Sequence, residues 1–396
     1  MHDTMPDPGD ERTYRALKRA VRAALEGAWT SAGYTAPNTD VYPWMWLWDS
    51  CFHSIVWAEL GVESKASAEI TSVLGLQDQA GFVPHMGYQL DPDVASDIWG
   101  RAGESSITQP PIYAHTLAEL TRRGMAVPEH SVEAAADGLR FLLESRERTP
   151  DGLVTVVHPW ETGCDDSPRW DDLCPGDHHD PDRWKSHKMD LLESIVRGSN
   201  GEPLSNPMFA VGPIGFNSLI AWNAMELVSL GLSEFLAPAT ELVEAVDARW
   251  DPQRSTWVDS GTTESGSGRA RTVDALLPLL VIDSADRRIE VARSLVDPAA
   301  HGSQFGPLGV HRMEPSFAPD TYWRGPVWPQ LSYLLWVALS SRDRTEESVL
   351  AEAIGRSVVR GAIASGLAEY WNGDTGRGLG ASPQSWTGLA LVMAVA

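Results

Sequence analysis

The sequence is poor in lysine and contains no long apolar run. Only four of its 396 residues are lysine, and 54 acidic residues outnumber 31 basic ones, for a net charge of −23. A surface this acidic repels nucleic acid and anionic membranes, so we expect neither as a partner. Because no run reaches about 18 apolar residues, no transmembrane helix is expected either.

Cysteine is also scarce, and the N-terminus lacks the pattern of a signal peptide. Cys51, Cys164 and Cys174 are too few and too odd in number for a disulfide scaffold. The N-terminal segment is polar and acidic, whereas a signal peptide needs a basic start and an apolar stretch. Both absences predict a reduced, cytoplasmic protein. The charge excess suits a cytoplasm rich in salt, where ions screen self-repulsion, but an acidic protein in ordinary salt explains it equally well.

Strands of alternating polarity are nearly absent, and helical patterns dominate the chain. Apolar residues recur at helical spacing over 13–30, 65–76, 131–146, 214–231, 234–249, 272–282, 286–297, 327–341, 346–366 and 385–396. About twelve helices, commonly paired across short turns and divided by no low-complexity linker, predict one all-α domain over 13–396 whose helix pairs repeat in space. Residues 1–12 are expected to be disordered.

Seventeen tryptophans are the most unusual count. An indole is costly to bury unless its N–H finds a partner. Some of these residues serve the core, but several lie in polar clusters with Asp, Gly, Pro or Gln, at 44–49, 99–101, 323–328 and 371–374. A wall of indoles interleaved with carboxylates suits a sugar, which offers an apolar C–H face and a rim of hydroxyls.

The stretch 158–170, His-Pro-Trp-Glu-Thr-Gly-Cys-Asp-Asp-Ser-Pro-Arg-Trp, concentrates this chemistry. It holds three carboxylates, one guanidinium and two indoles in thirteen residues, and its prolines and glycine predict a shaped loop. A carboxylate near Trp faces can have its pKa raised by desolvation while a second beside Arg169 stays ionised, which is the asymmetry a general acid needs. An acidic surface loop with one ion pair is the competing interpretation.

Three other carboxylates stand out. Glu369 and Asp374 lie in a Gly-rich loop near the C-terminus, and Glu369 comes 204 positions after Asp165, so only the fold can bring those two together. Asp49 follows three tryptophans and is open to two interpretations, a helix N-cap or a polar group at a pocket rim, of which the pocket is favoured.

These motifs resemble glycoside hydrolase family 63 and, more loosely, the trehalases, which share an (α/α)6 barrel, or six-hairpin toroid. Four blocks in the family's order carry the resemblance: 46–53, 158–170, 322–328 and 369–377 with 386–387. The chain length is most similar to that of the bacterial glucosylglycerate and mannosylglycerate hydrolases. The resemblance implies an active site in the loops at one end of the barrel, with 150–210 forming a cap over it.

In this family the general acid and the general base correspond to Asp165 and Glu369. The resemblance therefore implies inverting hydrolysis of a small α-glucoside or α-mannoside, above all glucosylglycerate or mannosylglycerate, with trehalose or another disaccharide as the alternative. An inverting pair stands about 6.5–9.5 Å apart to admit water. The positions expected to contact substrate are Tyr42, Trp46, Trp48, Asp49, Gln109, Trp160, Glu161, Gly163, Trp323, Arg324, Trp328 and Trp386.

Two departures from the family pattern bear on specificity and acidity. Gly212 and Gly215 stand where relatives commonly carry an Asp and an aromatic residue, so the pocket for the departing group is expected to differ. Asp165 and Asp166 replace the usual Asp-Asn. Two adjacent acids raise each other's pKa, which suits an acid role.

Two other function classes stay open. A carbohydrate epimerase on a similar barrel needs histidines poised for proton abstraction, and no paired pattern stands out among His53, His85, His158, His178 and His187. A non-catalytic sugar-binding module keeps the tryptophans but has no need for two separate acids.

No metal or other cofactor is expected. Cys164, Cys174 and His178 or His179 fit no usual structural zinc spacing, and the acidic run 177–182 lacks EF-hand spacing. The predicted partner is a small-molecule sugar, and the sequence leaves a homo-oligomer open.

Overall fold

Thirteen α-helices and four short strand pairs make up the part of the chain that the computed structural model describes, residues 10–173, 180–261, 266–340 and 345–394. The helices are α1 (Glu11–Gly27), α2 (Leu47–Glu59), α3 (Glu63–Leu74), α4 (Ser96–Trp99), α5 (Tyr113–Arg122), α6 (Glu129–Arg140), α7 (Pro181–Glu193), α8 (Ile214–Ser229), α9 (Leu236–Asp247), α10 (Ala285–Ser294), α11 (Pro329–Ser340), α12 (Thr345–Ala364) and α13 (Leu389–Met393). The longest 3₁₀ helix is Val273–Leu280.

Six of these elements close a ring. Each contacts the next in the order α2, α5, α8, the 3₁₀ helix Val273–Leu280, α11 and α13, and α13 returns to α2. Helices α1, α3, α6, α9, α10 and α12 surround the ring. This arrangement is an (α/α)6 barrel, so the predicted all-α class and architecture are confirmed.

Inner and outer helices differ in how apolar residues are distributed around them. Helix α2 is buried continuously from Leu47 to Trp57, whereas α1 buries a stripe that includes Leu17, Val21 and Leu25. A helix that is apolar all round must be enclosed, and one with a single apolar stripe lies at the surface. The burial of these two helices therefore agrees with an inner position for α2 and an outer position for α1.

The strands are short antiparallel pairs between helices. They are β1 (Met45–Trp46) with β2 (Met86–Gly87), β3 (Val196–Arg197) with β4 (Pro203–Ser205), β5 (Trp250–Asp251) with β6 (Thr256–Trp257), and β7 (Tyr370–Trp371) with β8 (Gly378–Leu379). Strand β1 leads directly into α2, and β7 begins immediately after Glu369. Two strand pairs thus hold segments whose carboxylates were singled out in the sequence.

Some boundaries differ from the sequence predictions. Helix α1 begins at Glu11, so Glu11 and Arg12 are helical rather than disordered, while 1–9 lie outside the described residues. The pattern over 272–282 forms a 3₁₀ helix with Pro278 inside it, and proline lacks the N–H that an α-helix needs there. Asp49 lies in the first turn of α2 and not at its N-cap, which is Trp46.

Helix α7 was not predicted. Asp180 accepts hydrogen bonds from the N–H groups of Asp182 and Arg183, and Pro181 occupies the first helical turn. The Asp-Pro pair was the available sequence signal for this helix start. In the described part of the chain, no helix combines the length and apolarity that crossing a bilayer requires.

Candidate active site

A cavity of about 690 Å³ lies where the inner helices begin. Its lining comes largely from the segments that precede or open α2, α5, α11 and α13, together with residues of the 150–210 segment. The lining residues are Pro37, Tyr42, Trp46, Trp48, Asp49, His85, Met86, Trp99, Gln109, Trp160, Gly163, Asp165, Lys185, Tyr322, Trp323, Glu369, Gln384 and Trp386. Its size and its aromatic walls with few polar groups are typical of a small-molecule site.

Asp165 lies on this cavity between the 3₁₀ helices Pro159–Thr162 and Pro168–Leu173. The Tyr322 hydroxyl donates to its Oδ2 at 3.3 Å. Burial, opposed by the nearby Lys188 ammonium and reinforced by Asp166, raises the pKa of Asp165 to about 7. A carboxyl group with this pKa is substantially protonated near neutral pH and can donate a proton.

The expected ion pair within the 158–170 loop is not present. The two guanidinium nitrogens Nη2 and Nη1 of Arg169 each lie 2.7 Å from a carboxylate oxygen, those of Asp259 and Asp274 respectively. Asp166 instead pairs with Lys188, whose Nζ lies 2.6 Å from its Oδ1. Arg169 is fully buried, so it anchors the loop to the barrel instead of holding an adjacent carboxylate ionised.

Trp170 also has a structural position. It is buried, packs edge-on against Phe209 at 5.7 Å and donates its indole N–H to the Cys164 carbonyl. Among the two indoles of the loop, only Trp160 lines the cavity beside Asp165.

Glu369 faces the same cavity from the other end of the chain. Its Oε2 accepts the Ala381 N–H at 2.9 Å, and its Oε1 accepts the Tyr42 hydroxyl at 3.3 Å. Burial raises the pKa of Glu369, and these two hydrogen bonds oppose the rise. Gly380 has φ +68°, and a Cβ there would lie 2.4 Å from Glu369 Oε2, so the hairpin can hold this carboxylate only with glycine at that position.

A third carboxylate, Asp49, lines the cavity from the first turn of α2. It is only 3% exposed, and burial together with the charge of Glu369 raises its pKa well above the ordinary value. Its neighbour Trp48 donates its backbone N–H to Gln109 Oε1 at 3.4 Å and meets Trp386 edge-on at 5.8 Å. These contacts tie the start of α2 to two other segments of the cavity wall.

The walls carry polar atoms that have no hydrogen-bond partner. Within the described residues, Trp46 Nε1, Trp323 Nε1 and Gln384 Oε1 are buried and unpartnered, and all three residues line the cavity. Buried polar groups are normally satisfied, so an unpaired one at a site is a candidate ligand contact. Two donors and one acceptor match the hydrogen-bonding capacity of hydroxyl groups.

Nine of the twelve predicted substrate contacts line the cavity: Tyr42, Trp46, Trp48, Asp49, Gln109, Trp160, Gly163, Trp323 and Trp386. The other three do not line it. Glu161 is buried and bound by Arg146 at 3.0 Å, with further bonds from the backbone. Arg324 is held by Asp171, and Trp328 lies behind Trp323, with the ring centroids stacked at 3.6 Å. Each is therefore held by other residues behind or beside the cavity wall.

Seven lining residues were not chosen from the sequence: Pro37, His85, Met86, Trp99, Lys185, Tyr322 and Gln384. Tyr322 begins the 322–328 block, and Trp99 belongs to one of the polar tryptophan clusters, so both carried a signal. Lys185 is one of only four lysines. Pro37 and Met86 carried none.

The cavity contains one histidine among the described residues, His85. Burial lowers its pKa to about 3, and its Nδ1 lies 2.5 Å from Ser105 Oγ. His53 is buried against Ser385, and His158 lies 2.9 Å from the Lys188 carbonyl. A pair of histidines facing a substrate, which the epimerase interpretation needs, is not found in this part of the chain.

The described residues also contain no group of three His, Cys, Asp or Glu arranged to hold a metal ion. Cys164 is buried in the core. Cys174, His178 and His179, which the zinc hypothesis would require, lie outside the described residues.

An (α/α)6 barrel whose tryptophan-walled cavity carries carboxylates is typical of a class of glycoside hydrolase. Over residues 42–387 the chain matches the model of the mannosylglycerate hydrolase MGH1-like glycoside hydrolase domain, and it belongs to that family. It is 28% identical to a glucosylglycerate hydrolase of Mycolicibacterium hassiacum, covering 89% of this chain and 92% of the relative. It is 25% identical to a mannosylglycerate hydrolase of Thermus thermophilus, covering 89% and 94%.

Solved structures show the same fold. A glycoside hydrolase family 63 mannosylglycerate hydrolase from Thermus thermophilus, in complex with Tris and D-glycerate, superposes with a TM-score of 0.81 at 23% identity. The match covers 96% of this chain and all of that one. The neutral trehalase Nth1 of Saccharomyces cerevisiae matches with a TM-score of 0.58 at 12% identity, over 91% of this chain and 73% of that one.

Proposed function

We propose that this protein hydrolyses a small α-glucoside or α-mannoside with inversion, and that its substrate is glucosylglycerate or mannosylglycerate. The observation that carries the proposal is the presence of Asp165 and Glu369 on one cavity, each beside a tyrosine hydroxyl. The curated relatives named for these two substrates support the choice of sugar and departing group.

Asp165 is the proposed general acid and Glu369 the proposed general base. A glycosidic bond has a poor alkoxide leaving group, and water is a poor nucleophile, so the reaction needs both. Asp165 protonates the departing oxygen, and its pKa of about 7 keeps a proton available. Glu369 takes a proton from a water molecule on the opposite face of the anomeric carbon, while Tyr42 orients the carboxylate.

The tryptophan walls hold the sugar ring and exclude bulk water. Asp49 accepts hydrogen bonds from sugar hydroxyls, and the unpartnered Trp46 and Trp323 N–H groups donate to them. Lys185 is the only cation among the described lining residues, and it offers a counter-charge for a departing group that carries a carboxylate.

Replacement of either acid tests the assignment. Asp165→Asn and Glu369→Gln should each lower kcat by about 10²–10⁴, because each removes one proton transfer. Released monosaccharide would be measured from glucosylglycerate, mannosylglycerate, trehalose and kojibiose, with circular dichroism as the control for folding. Retained sugar binding by both inactive variants would separate a catalyst from a binding module.

The stereochemistry of the product tests the roles. NMR of the first product from an α-glucoside should show the β-anomer, because water attacks from the face opposite the leaving group. An α-anomer would mean retention through a covalent intermediate and would remove the water-activating role of Glu369.

A further inference from the structure

Two of the four lysines in the chain lie on α7, next to the cavity. Lys185 is exposed and lines the cavity, whereas Lys188 is only 7% exposed. Burial of an ammonium group is unfavourable unless the charge is paired. In a chain that uses lysine so rarely, a nearly buried lysine beside the proposed general acid requires a physical reason.

The contacts of Lys188 hold its ammonium group in one place. Its Nζ lies 2.6 Å from Asp166 Oδ1 and is 5.6 Å and 5.8 Å from the ring centroids of Trp160 and Trp184. Its backbone carbonyl lies 2.9 Å from His158 Nε2. Because His158 Nδ1 accepts the Trp160 N–H, the proton of the neutral ring is on Nε2 and is donated to that carbonyl.

The same helix also contacts the backbone of Asp165. Trp184, one turn before Lys188, donates its indole N–H to the Asp165 carbonyl at 3.2 Å. This hydrogen bond holds α7, and with it the Lys188 ammonium group, at a fixed position relative to Asp165. Asp166, the partner of Lys188, is the next residue in the chain after Asp165.

Opposite charges thus act on Asp165 from neighbouring positions. The positive charge of Lys188 lowers the pKa of Asp165, and the negative charge of Asp166 raises it. The other groups that face Asp165 are Glu369, whose charge raises its pKa, and the Tyr322 hydroxyl, whose hydrogen bond lowers it. Cys164 precedes Asp165 in the chain, and Tyr42 lies nearby. The negative charge of Asp165 raises the pKa of the Cys164 thiol and of the Tyr42 hydroxyl.

We propose that Lys188 and Asp166 are positioning residues that act as a compensated ion pair and together set the pH range over which Asp165 holds its proton. This inference rests on the proposed role of Asp165 as general acid. Lys188 permits a second carboxylate to lie next to the acid without locking the acid in its protonated form. Asp166 in turn prevents the buried cation from stripping the proton from Asp165.

Because the two members of the pair carry opposite charges, their replacements should shift the pH at which Asp165 loses its proton in opposite directions. In Lys188→Met, the charge of Asp166 is uncompensated, so Asp165 keeps its proton to higher pH. In Asp166→Asn, the charge of Lys188 is uncompensated, so Asp165 loses its proton at lower pH. The double variant removes both charges and restores the balance.

The test is the pH dependence of kcat/KM, whose alkaline limb reports the acid in the free enzyme. Relative to the wild type, the limb should move up by about one pH unit in Lys188→Met and down by about one unit in Asp166→Asn, the size expected for one nearby charge. It should return to the wild-type position in the double variant. Lys188→Arg, which keeps the charge, should leave the limb close to its original position.

Lys65, which lies away from the cavity, provides a matched control. Lys65 lies on α3 over the rings of Trp29 and Trp57, at 4.6 Å and 4.2 Å, and is not among the cavity residues. Lys65→Met changes the net charge of the protein by the same amount as Lys188→Met and should leave the alkaline limb unmoved. Single variants that lose kcat equally at every pH, or limbs that move in the same direction, would overturn the proposal and leave a structural role only.

A substrate that needs no acid separates this proposal from the one it rests on. A glycosyl fluoride has a good leaving group, so the alkaline limb and the differences between variants should shrink with it if Asp165 is the acid. If Asp165→Asn hydrolyses glucosylglycerate as fast as the wild type, the assignment of the acid fails. If Asp165→Asn is inactive but the alkaline limb does not move in Lys188→Met or in Asp166→Asn, only the ion-pair proposal fails.

Discussion

Gly163 shows how a single residue without a side chain shapes the cavity. Its φ is +69°, and a Cβ at this position would lie 2.4 Å from Trp48 Cη2. The sequence predicted a substrate contact here, and the structure shows that the absence of a side chain makes room for the indole. Gly380 makes the same kind of room for Glu369.

Gly163→Ala should therefore weaken both stability and substrate binding. The backbone strain costs about 1–2 kcal/mol, and displacement of Trp48 adds about 1–3 kcal/mol. Denaturant unfolding and KM would measure the two effects. Gly61 is the matched control, since its φ is +75° and nothing lies within 4 Å of a Cβ there. Gly61→Ala should lose only the strain energy, and an unchanged KM in both variants would contradict the role given to Trp48.

The protonation of two residues predicts the pH profile of the reaction. Asp165 must be protonated to act, so kcat/KM should fall as pH rises through its pKa of about 7. Glu369 must be ionised to act, and burial raises its pKa above the ordinary value of 4.5. On acidification, activity should therefore begin to fall at a higher pH than it would for an exposed glutamate. The measured profile should be a bell whose acid limb disappears in Glu369→Gln and whose alkaline limb disappears in Asp165→Asn. A profile with limbs unmoved in these variants would assign both limbs to other groups.

At the scale of elements, α7 presents a cation to the cavity. Lys185 is exposed at the cavity, whose described lining contains several aromatic residues and three carboxylates but no other lysine or arginine. Lys185→Met should raise KM about 5-fold for a substrate whose departing group carries a carboxylate, the modest effect expected of an exposed charge pair. It should leave KM for trehalose or kojibiose unchanged. Equal increases for charged and neutral substrates would mean that Lys185 has no part in recognising the anion.

Element types were predictable where apolar residues follow a helical period. The stripe of α1 and the apolar run of α11 were recognised, because burial on one face or on all faces leaves a periodic record. Helix α7 was not recognised, since its 13 residues are mostly polar and few of them are buried. Its start was encoded locally by Asp180 and Pro181, but its position depends on the contacts of its Trp184 with the Asp165 carbonyl and of its Lys188 with Asp166.

At the scale of the whole molecule, the charge excess governs stability in salt. Acidic residues exceed basic ones by 23, so repulsion remains after every cation is paired. Salt screens this repulsion, although it also weakens exposed ion pairs such as Arg293–Glu346. We expect the repulsion among the excess acidic residues to outweigh the attraction within these exposed pairs. The melting temperature should therefore be higher in molar KCl than at low ionic strength. A lower melting temperature in KCl would mean that the ion pairs dominate.

The sequence by itself determined the class of fold and the two carboxylates on which the proposed chemistry depends. Helical periodicity is a local property, and motif blocks such as 158–170 and 369–377 keep their residues together in the chain. The resemblance carried by these blocks selected Asp165 rather than Asp166, and Glu369 rather than Asp374, as the expected acid and base. Most of the aromatic wall could be chosen too, because its tryptophans lie inside the same blocks.

Only the tertiary structure decided which charges meet. Arg169 bonds Asp259 and Asp274, which are about 90 and 105 positions away, instead of its neighbours, and Asp166 bonds Lys188. The fold decides these pairings, because it brings Asp274 on the inner 3₁₀ helix to Arg169 and Lys188 on α7 to Asp166. Charge interactions depend on distance and burial, neither of which sequence spacing encodes. The motif blocks consequently pointed to the two proposed acids, but only the fold buried both carboxylates and placed Lys188 near Asp165.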